Sequence, residues 1–146
     1  MAEIRVEAAR DLPSPPDAVY GAIADYTRRS AWLPDAYQGF RVTEGGTGAG
    51  TEFEYDLHAG RRVRHYRMSA AEVVPGTELT ESDKGSSLST TWTVQPGGAG
   101  SRVQVVTTWQ GSAGFGGVME RTFAPRALAG IYETMLAQLE QYLTET

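Results

Sequence analysis

The sequence predicts an α+β fold: a curved antiparallel sheet of six to seven strands wrapped around one long C-terminal helix, with two short helices after the first strand. Three observations carry that prediction. Alternating polar and apolar residues, in runs joined by short turns, fill the middle of the chain. The final segment switches to helical spacing, with Leu128, Ile131, Tyr132, Met135, Leu136, Leu139, Tyr142 and Leu143 on one stripe. Two proline-punctuated segments with helix-start chemistry separate the first alternating run from the rest.

Taken in order, Ile4, Val6 and Ala8 alternate with Glu3, Arg5 and Glu7, the period of a half-buried strand, and Pro13 stops it. Ser14-Pro15-Pro16-Asp17 reads as a helix start, with serine as N-cap and proline in the first turn. Val19, Tyr20 and Ile23 then share one face. A second short helix over 25–33 carries Tyr26 and Trp32 and ends at Pro34. Strands are predicted at 38–43, 51–58, 61–73, 77–82, 87–94 and 102–110, separated by glycine- or proline-bearing turns, an antiparallel meander. A sheet of this size twists and curls. The helix has a single wide apolar stripe, which it buries against the concave face. Pro125 either opens this helix or kinks one that began near Val118. The glycine-rich run from Gly111 to Gly117 lacks a phosphate-loop lysine and reads as a hinge beside a cavity mouth.

The chain of 146 residues fits one domain over 1–146. Cysteine is absent, which removes disulfides, thiolate metal sites and a cysteine nucleophile. The N-terminus has no apolar core of signal-peptide length, and no stretch approaches the ~20 apolar residues of a membrane span. The expectation is therefore a cytoplasmic protein without stable membrane insertion, as monomer or homodimer. A net charge of -5 argues against a nucleic-acid partner.

Certain stretches carry a family resemblance. They are Ser14-Pro15-Pro16-Asp17-Ala18-Val19-Tyr20 leading into Ile23-Ala24-Asp25-Tyr26, then Trp32-Leu33-Pro34, Gly48-Ala49-Gly50-Thr51 before a strand, and Gly85-Ser86-Ser87 before the strand with Trp92. In this order the chain resembles the SRPBCC superfamily, which contains the START-like and birch-pollen-allergen-like proteins, and within it the polyketide cyclase/dehydrase-like branch. The resemblance implies the helix-grip fold and a deep cavity between sheet and helix for lipids, sterols, hormones or polyketide intermediates. It does not imply one activity.

A two-residue turn at Ala59-Gly60 would set Leu57 opposite Arg62, Tyr55 opposite Arg64, Phe53 opposite Tyr66 and Thr51 opposite Met68, all on the concave side. Trp32, Phe40, Leu79, Trp92 and Trp109 join that face, and Tyr20, Glu81, Phe115, Tyr132 and Met135 complete the expected ligand-binding set. A cavity of several hundred Å³ is the expectation, a filled core the alternative. Arg64 is either a donor that orients the ligand, a partner of Glu81 or Asp83, or a side chain reaching out of the mouth. His58 and His65 fall on the outer face with Glu54 and Asp56, a solvated cross-strand cluster rather than a metal site. The run Arg61, Arg62, Arg64, Arg67 is expected to pair with Glu52, Glu54 and Asp56. No nucleophile motif, metal-ligand set or cofactor motif is present. The leading expectation is binding of a hydrophobic or amphipathic small molecule. The alternatives are a cyclase/dehydrase drawing on Arg64, Tyr66, Glu81 or Tyr20, and a protein-interaction module with a filled core.

Overall fold

A computed structural model describes residues 2–111 and 125–145. The chain runs β1 (Ala2–Leu12), α1 (Pro16–Ala24), a 3₁₀ helix (Tyr26–Ala31), β2 (Tyr37–Glu44), β3 (Glu52–Ala59), β4 (Arg62–Val74), β5 (Glu78–Asp83), β6 (Ser89–Gly97), β7 (Gly100–Gly111) and α2 (Pro125–Glu145). All strands form one antiparallel sheet in the order β1-β7-β6-β5-β4-β3-β2. The order follows from the meander, with β1 returning to pair along the full length of β7. The predicted α+β helix-grip architecture is therefore observed, with seven strands.

α2 buries Leu128, Tyr132, Met135, Leu136 and Leu139 of the expected stripe, while Ile131, Tyr142 and Leu143 are only partly buried beside them. Each fully buried leucine there contributes roughly 1.5–3 kcal/mol. α2 packs chiefly on β1, and the Arg10 guanidinium reaches across to Glu140 at 2.7 Å. This pair is partly exposed and adds little to stability. Pro125 opens the described helix. A start near Val118, Phe115 itself and the glycine run beyond Gly111 lie outside the described residues.

Local chemistry shifts three expectations. Pro15, not Ser14, is the N-cap of α1 and makes no side-chain bond, while the Ser14 carbonyl accepts from Ser101 Oγ at 2.7 Å. The second short helix is 3₁₀, capped by Asp25, whose carboxylate accepts from the Thr27 N–H at 3.2 Å. The broad turn at 96–101 contracts to Gly98-Ala99, because β6 continues through Pro96, opposite Ser101. Pairing of β5 to β6 stops at Glu78–Thr93, so the N–H that Pro96 lacks would have had no neighbouring strand on that side.

The β3–β4 register is two residues away from the one expected. The loop is Gly60-Arg61, with Ala59 opposite Arg62, Leu57 opposite Arg64, Tyr55 opposite Tyr66 and Phe53 opposite Met68. Gly60 has φ +64, the first-position glycine that a tight hairpin accepts, and Ala59 is buried as the last residue of β3. A slip of two preserves the faces, because strand side chains repeat every two residues. The apolar residues still point inward and the histidines outward. Opposite Asp56 stands His65, whose Nδ1 lies 2.8 Å from the carboxylate, while Nε2 lies 3.3 Å from Glu54. The acids of β3 do not pair with the arginine run. Among the described residues their ion-pair partners are Lys84 for Glu52, Arg41 for Glu54 and His65 for both Glu54 and Asp56.

Candidate functional site

The site begins with the 3₁₀ helix. In that geometry residues i and i+3 eclipse, so Tyr26, Arg29 and Trp32 project on one side. That side faces the concave sheet, and all three are buried. On the sheet, one inward row reads Ala70, Glu81, Thr90, Thr107 across β4, β5, β6 and β7. A neighbouring row sets Leu79 opposite Trp92 and Trp92 opposite Val105.

Arg29 and Glu81 meet where the helix touches the sheet. Arg29 is 3% exposed, and its Nη2 donates to Glu81 Oε2 at 2.9 Å and to the Ile23 carbonyl at 2.6 Å. Glu81 Oε2 also accepts from the Tyr26 hydroxyl at 2.6 Å, and Oε1 accepts from the Trp92 indole at 3.2 Å. The guanidinium carbon sits 4.4 Å from the centroid of Tyr26, 4.9 Å from Trp32 and 5.5 Å from Trp92. Cation–π attraction offsets part of its lost hydration. Burial alone would pull the guanidinium pKa down, but the Glu81 carboxylate beside it reverses this and holds it above its ordinary value. The guanidinium therefore keeps its charge.

Next along the row, Thr90 and Thr107 share a hydrogen bond of 2.7 Å, and Thr107 shares another with the Tyr132 hydroxyl from α2. Burial pushes the Tyr132 phenol up to about 12, even though the threonine hydrogen bonds act in the other direction. Aromatic rings form the opposite wall. Phe53 stacks on Tyr26 at 4.6 Å, Phe40 tilts against Phe53 at 5.4 Å, and Tyr37 meets Tyr55 edge-on at 5.1 Å. Desolvation pushes the Tyr37 and Tyr55 phenols well up, with the Glu81 charge adding to the shift.

Between these walls lies a cavity of about 20 Å³ lined by Arg29, Leu33, Tyr37, Phe40, Phe53, Tyr55, Glu81, Thr90, Trp92, Tyr132 and Met135. That is room for about one water. Among the described residues this space is smaller than the several hundred Å³ expected from sequence.

Of the residues selected from sequence, Phe40, Phe53, Tyr55, Glu81, Trp92, Tyr132 and Met135 come together around the cavity. Trp32, Tyr66, Met68, Leu79 and Trp109 are buried but lie outside its lining. Tyr20 is directed elsewhere, its hydroxyl donating to Glu72 Oε2 at 2.6 Å under α1. Arg64 is on the concave side, as expected, but half-buried against the Tyr66 ring at 5.6 Å and apart from the cavity. Its expected partner Glu81 is taken by Arg29, and Asp83 instead accepts from the Arg67 N–H and the Ser86 hydroxyl. Sequence reasoning missed Arg29, Leu33, Tyr37 and Thr90. For Arg29 a signal existed: it falls three residues after Tyr26 and three before Trp32.

The long C-terminal helix gripped by a seven-stranded sheet defines a helix-grip protein. The chain belongs to the family described as polyketide cyclase / dehydrase and lipid transport, whose match spans residues 3–144. It is similar to the solution structure of KanY protein, with 37% identity, 99% of each chain covered and a TM-score of 0.86. TTHA0849 from Thermus thermophilus shares the fold at 20% identity and TM-score 0.79, covering 97% of this chain and 98% of that one. Major latex-like protein 151 from Panax ginseng does so at 10% identity and TM-score 0.75, over 96% and 97%. No curated protein gives a significant match. Among the described residues no helix is long and apolar enough to cross a membrane, and no cluster of histidines and acids could hold a metal ion.

Proposed function

We propose that this protein binds a hydrophobic or amphipathic small molecule, lipid- or polyketide-like, between the sheet and α2. The observation that carries the reading is the cavity itself: aromatic walls from β2, β3 and β6, Tyr132 and Met135 from α2, and a buried polar row along one side. Apolar walls with a few converging polar groups are the usual make-up of a small-molecule site. The family description, with lipid transport in it, supports the same use of the space. Glu81 is ill-suited to act as a general base here, because Tyr26, Arg29 and Trp92 already donate to its oxygens.

Native mass spectrometry of freshly purified protein, together with titration of a solvatochromic apolar dye, tests this reading. A retained small molecule, or a saturable blue shift abolished by Phe40→Asp in folded protein, is the expected result. Phe40 suits the purpose because it lines the cavity yet is only partly buried. Absence of both a retained molecule and saturable dye binding overturns the proposal.

A further inference from the structure

Arg29 has more hydrogen-bonding capacity than its surroundings use. A guanidinium carries five N–H donors in a fixed plane. Among the described residues only Nη2 donates, to Glu81 and to the Ile23 carbonyl, and the buried Nε has no partner. Buried N–H groups without a partner are rare in folded proteins, and each one calls for an explanation. The rings of Tyr26, Trp32 and Trp92 shield the cation but offer no in-plane acceptor. Arg29 lines the cavity together with Tyr37 and Tyr55, whose hydroxyls hydrogen-bond to none of the described residues. The free space of about 20 Å³ fits one oxygen-sized atom and its hydrogen bonds.

We infer that Arg29 is the polar anchor of this cavity: its unused edge takes one acceptor oxygen, water in the free protein and the carbonyl oxygen of a neutral ligand in the complex. The inference rests on the proposed ligand-binding role and specifies the ligand. Charge selects the carbonyl over a carboxylate. Arg29 and Glu81 sum to zero, and both are nearly withdrawn from solvent, at 4% and 6% side-chain exposure. A carboxylate placed there would leave one net negative charge uncompensated beside Glu81, whereas a ketone, ester or amide oxygen accepts the same donors without it. An all-hydrocarbon ligand would leave the donors unmet. Arg29 thus sets which apolar molecules are accepted, and it does so from the 3₁₀ helix rather than from the sheet.

Three probes with the same naphthalene body test this: 2-acetylnaphthalene, its isostere 2-isopropenylnaphthalene, and 2-naphthoate. The ketone is expected to bind tenfold or more tightly than the olefin, the worth of a charge-assisted hydrogen bond. It should also bind more tightly than the carboxylate. In Arg29→Met/Glu81→Leu, which removes both charges at similar volume, the preference for ketone over olefin should vanish while olefin binding persists. A measurement on the unaltered protein needs no variant to fold: the isotope-edited carbonyl stretch of bound 2-acetylnaphthalene should lie below its frequency in hexane. Equal binding of ketone and olefin, tightest binding by naphthoate, an unshifted carbonyl, or a preference that survives in a folded double variant overturns the anchor and leaves the ligand-binding reading standing. If none of the probes binds, the anchor falls, and the ligand-binding reading is decided by the native mass spectrometry and dye titration.

Discussion

Replacing Glu81 by leucine should be among the most damaging single changes in this protein. The substitution leaves the Arg29 guanidinium, 3% exposed, without its counter-charge. An uncompensated buried charge costs roughly 3–5 kcal/mol. The Tyr26 hydroxyl also loses its acceptor, which adds about 1–3 kcal/mol, and the longer bond from Trp92 adds less. The sum rivals the roughly 5–15 kcal/mol that holds a typical domain together. Arg29→Met should cost less, near the lower end of roughly 3–5 kcal/mol, because Tyr26 and Trp92 still solvate the carboxylate. The double variant removes both charges and leaves only neutral groups unpaired, the Tyr26 and Trp92 donors and the Ile23 carbonyl, so it should recover much of the loss. Urea unfolding of the four proteins, with slopes checked for constancy, gives the cycle. A coupling of several kcal/mol is expected. Costs that simply add, to within about 0.5 kcal/mol, would refute the claim that these charges exist for each other.

Alkaline stability should show a sharp limit. Tyr132 is held up to about 12, and Tyr26, Tyr37, Tyr55 and Tyr66 are also raised, whereas unfolded tyrosines ionise near about 10. Protons that the folded state keeps and the unfolded state sheds leave stability intact below about pH 10 and drain it above. Phenolate absorbance should therefore rise together with loss of near-ultraviolet dichroism; phenolate appearing near pH 10 in folded protein would contradict the burial of these rings. Thr107→Val should cost about 1–3 kcal/mol in chemical unfolding, since the hydroxyls of Thr90 and Tyr132 both lose a partner inside the core. An isosteric swap without cost would mean the polar row is not structural. Gly100→Ala should cost roughly 2–3 kcal/mol, because the new Cβ would stand 2.3 Å from the Leu12 carbonyl oxygen. Gly60→Ala meets open space and should cost only the roughly 1–2 kcal/mol of a left-handed alanine. Equal melting shifts for the two would count against the close approach of the β6–β7 turn to Leu12.

The sheet was legible because its signals are redundant. Each strand repeats its face several times over, so an error in one turn is absorbed: the β3–β4 hairpin slipped by two residues, yet Phe53, Tyr55, Tyr66 and Met68 stayed inward. α2 was legible for the same reason, with five buried positions agreeing on one stripe. The site was less so, because its key feature is a single residue on the shortest element. A basic pair Arg28-Arg29 in a six-residue segment reads as solvated surface by composition, and a short helix has too few turns to reveal its face by period. Only the 3₁₀ spacing, where i and i+3 eclipse, puts Arg29 between Tyr26 and Trp32. Glu81, by contrast, was visible: it alternates in phase with Leu79 on β5, which marks it as inward. From the hairpin alone, Arg64 on the adjacent strand is the arginine that Glu81 would be expected to meet. The partner instead came from a helix folded across the sheet, a pairing fixed by tertiary packing over 52 residues of sequence rather than by any local pattern.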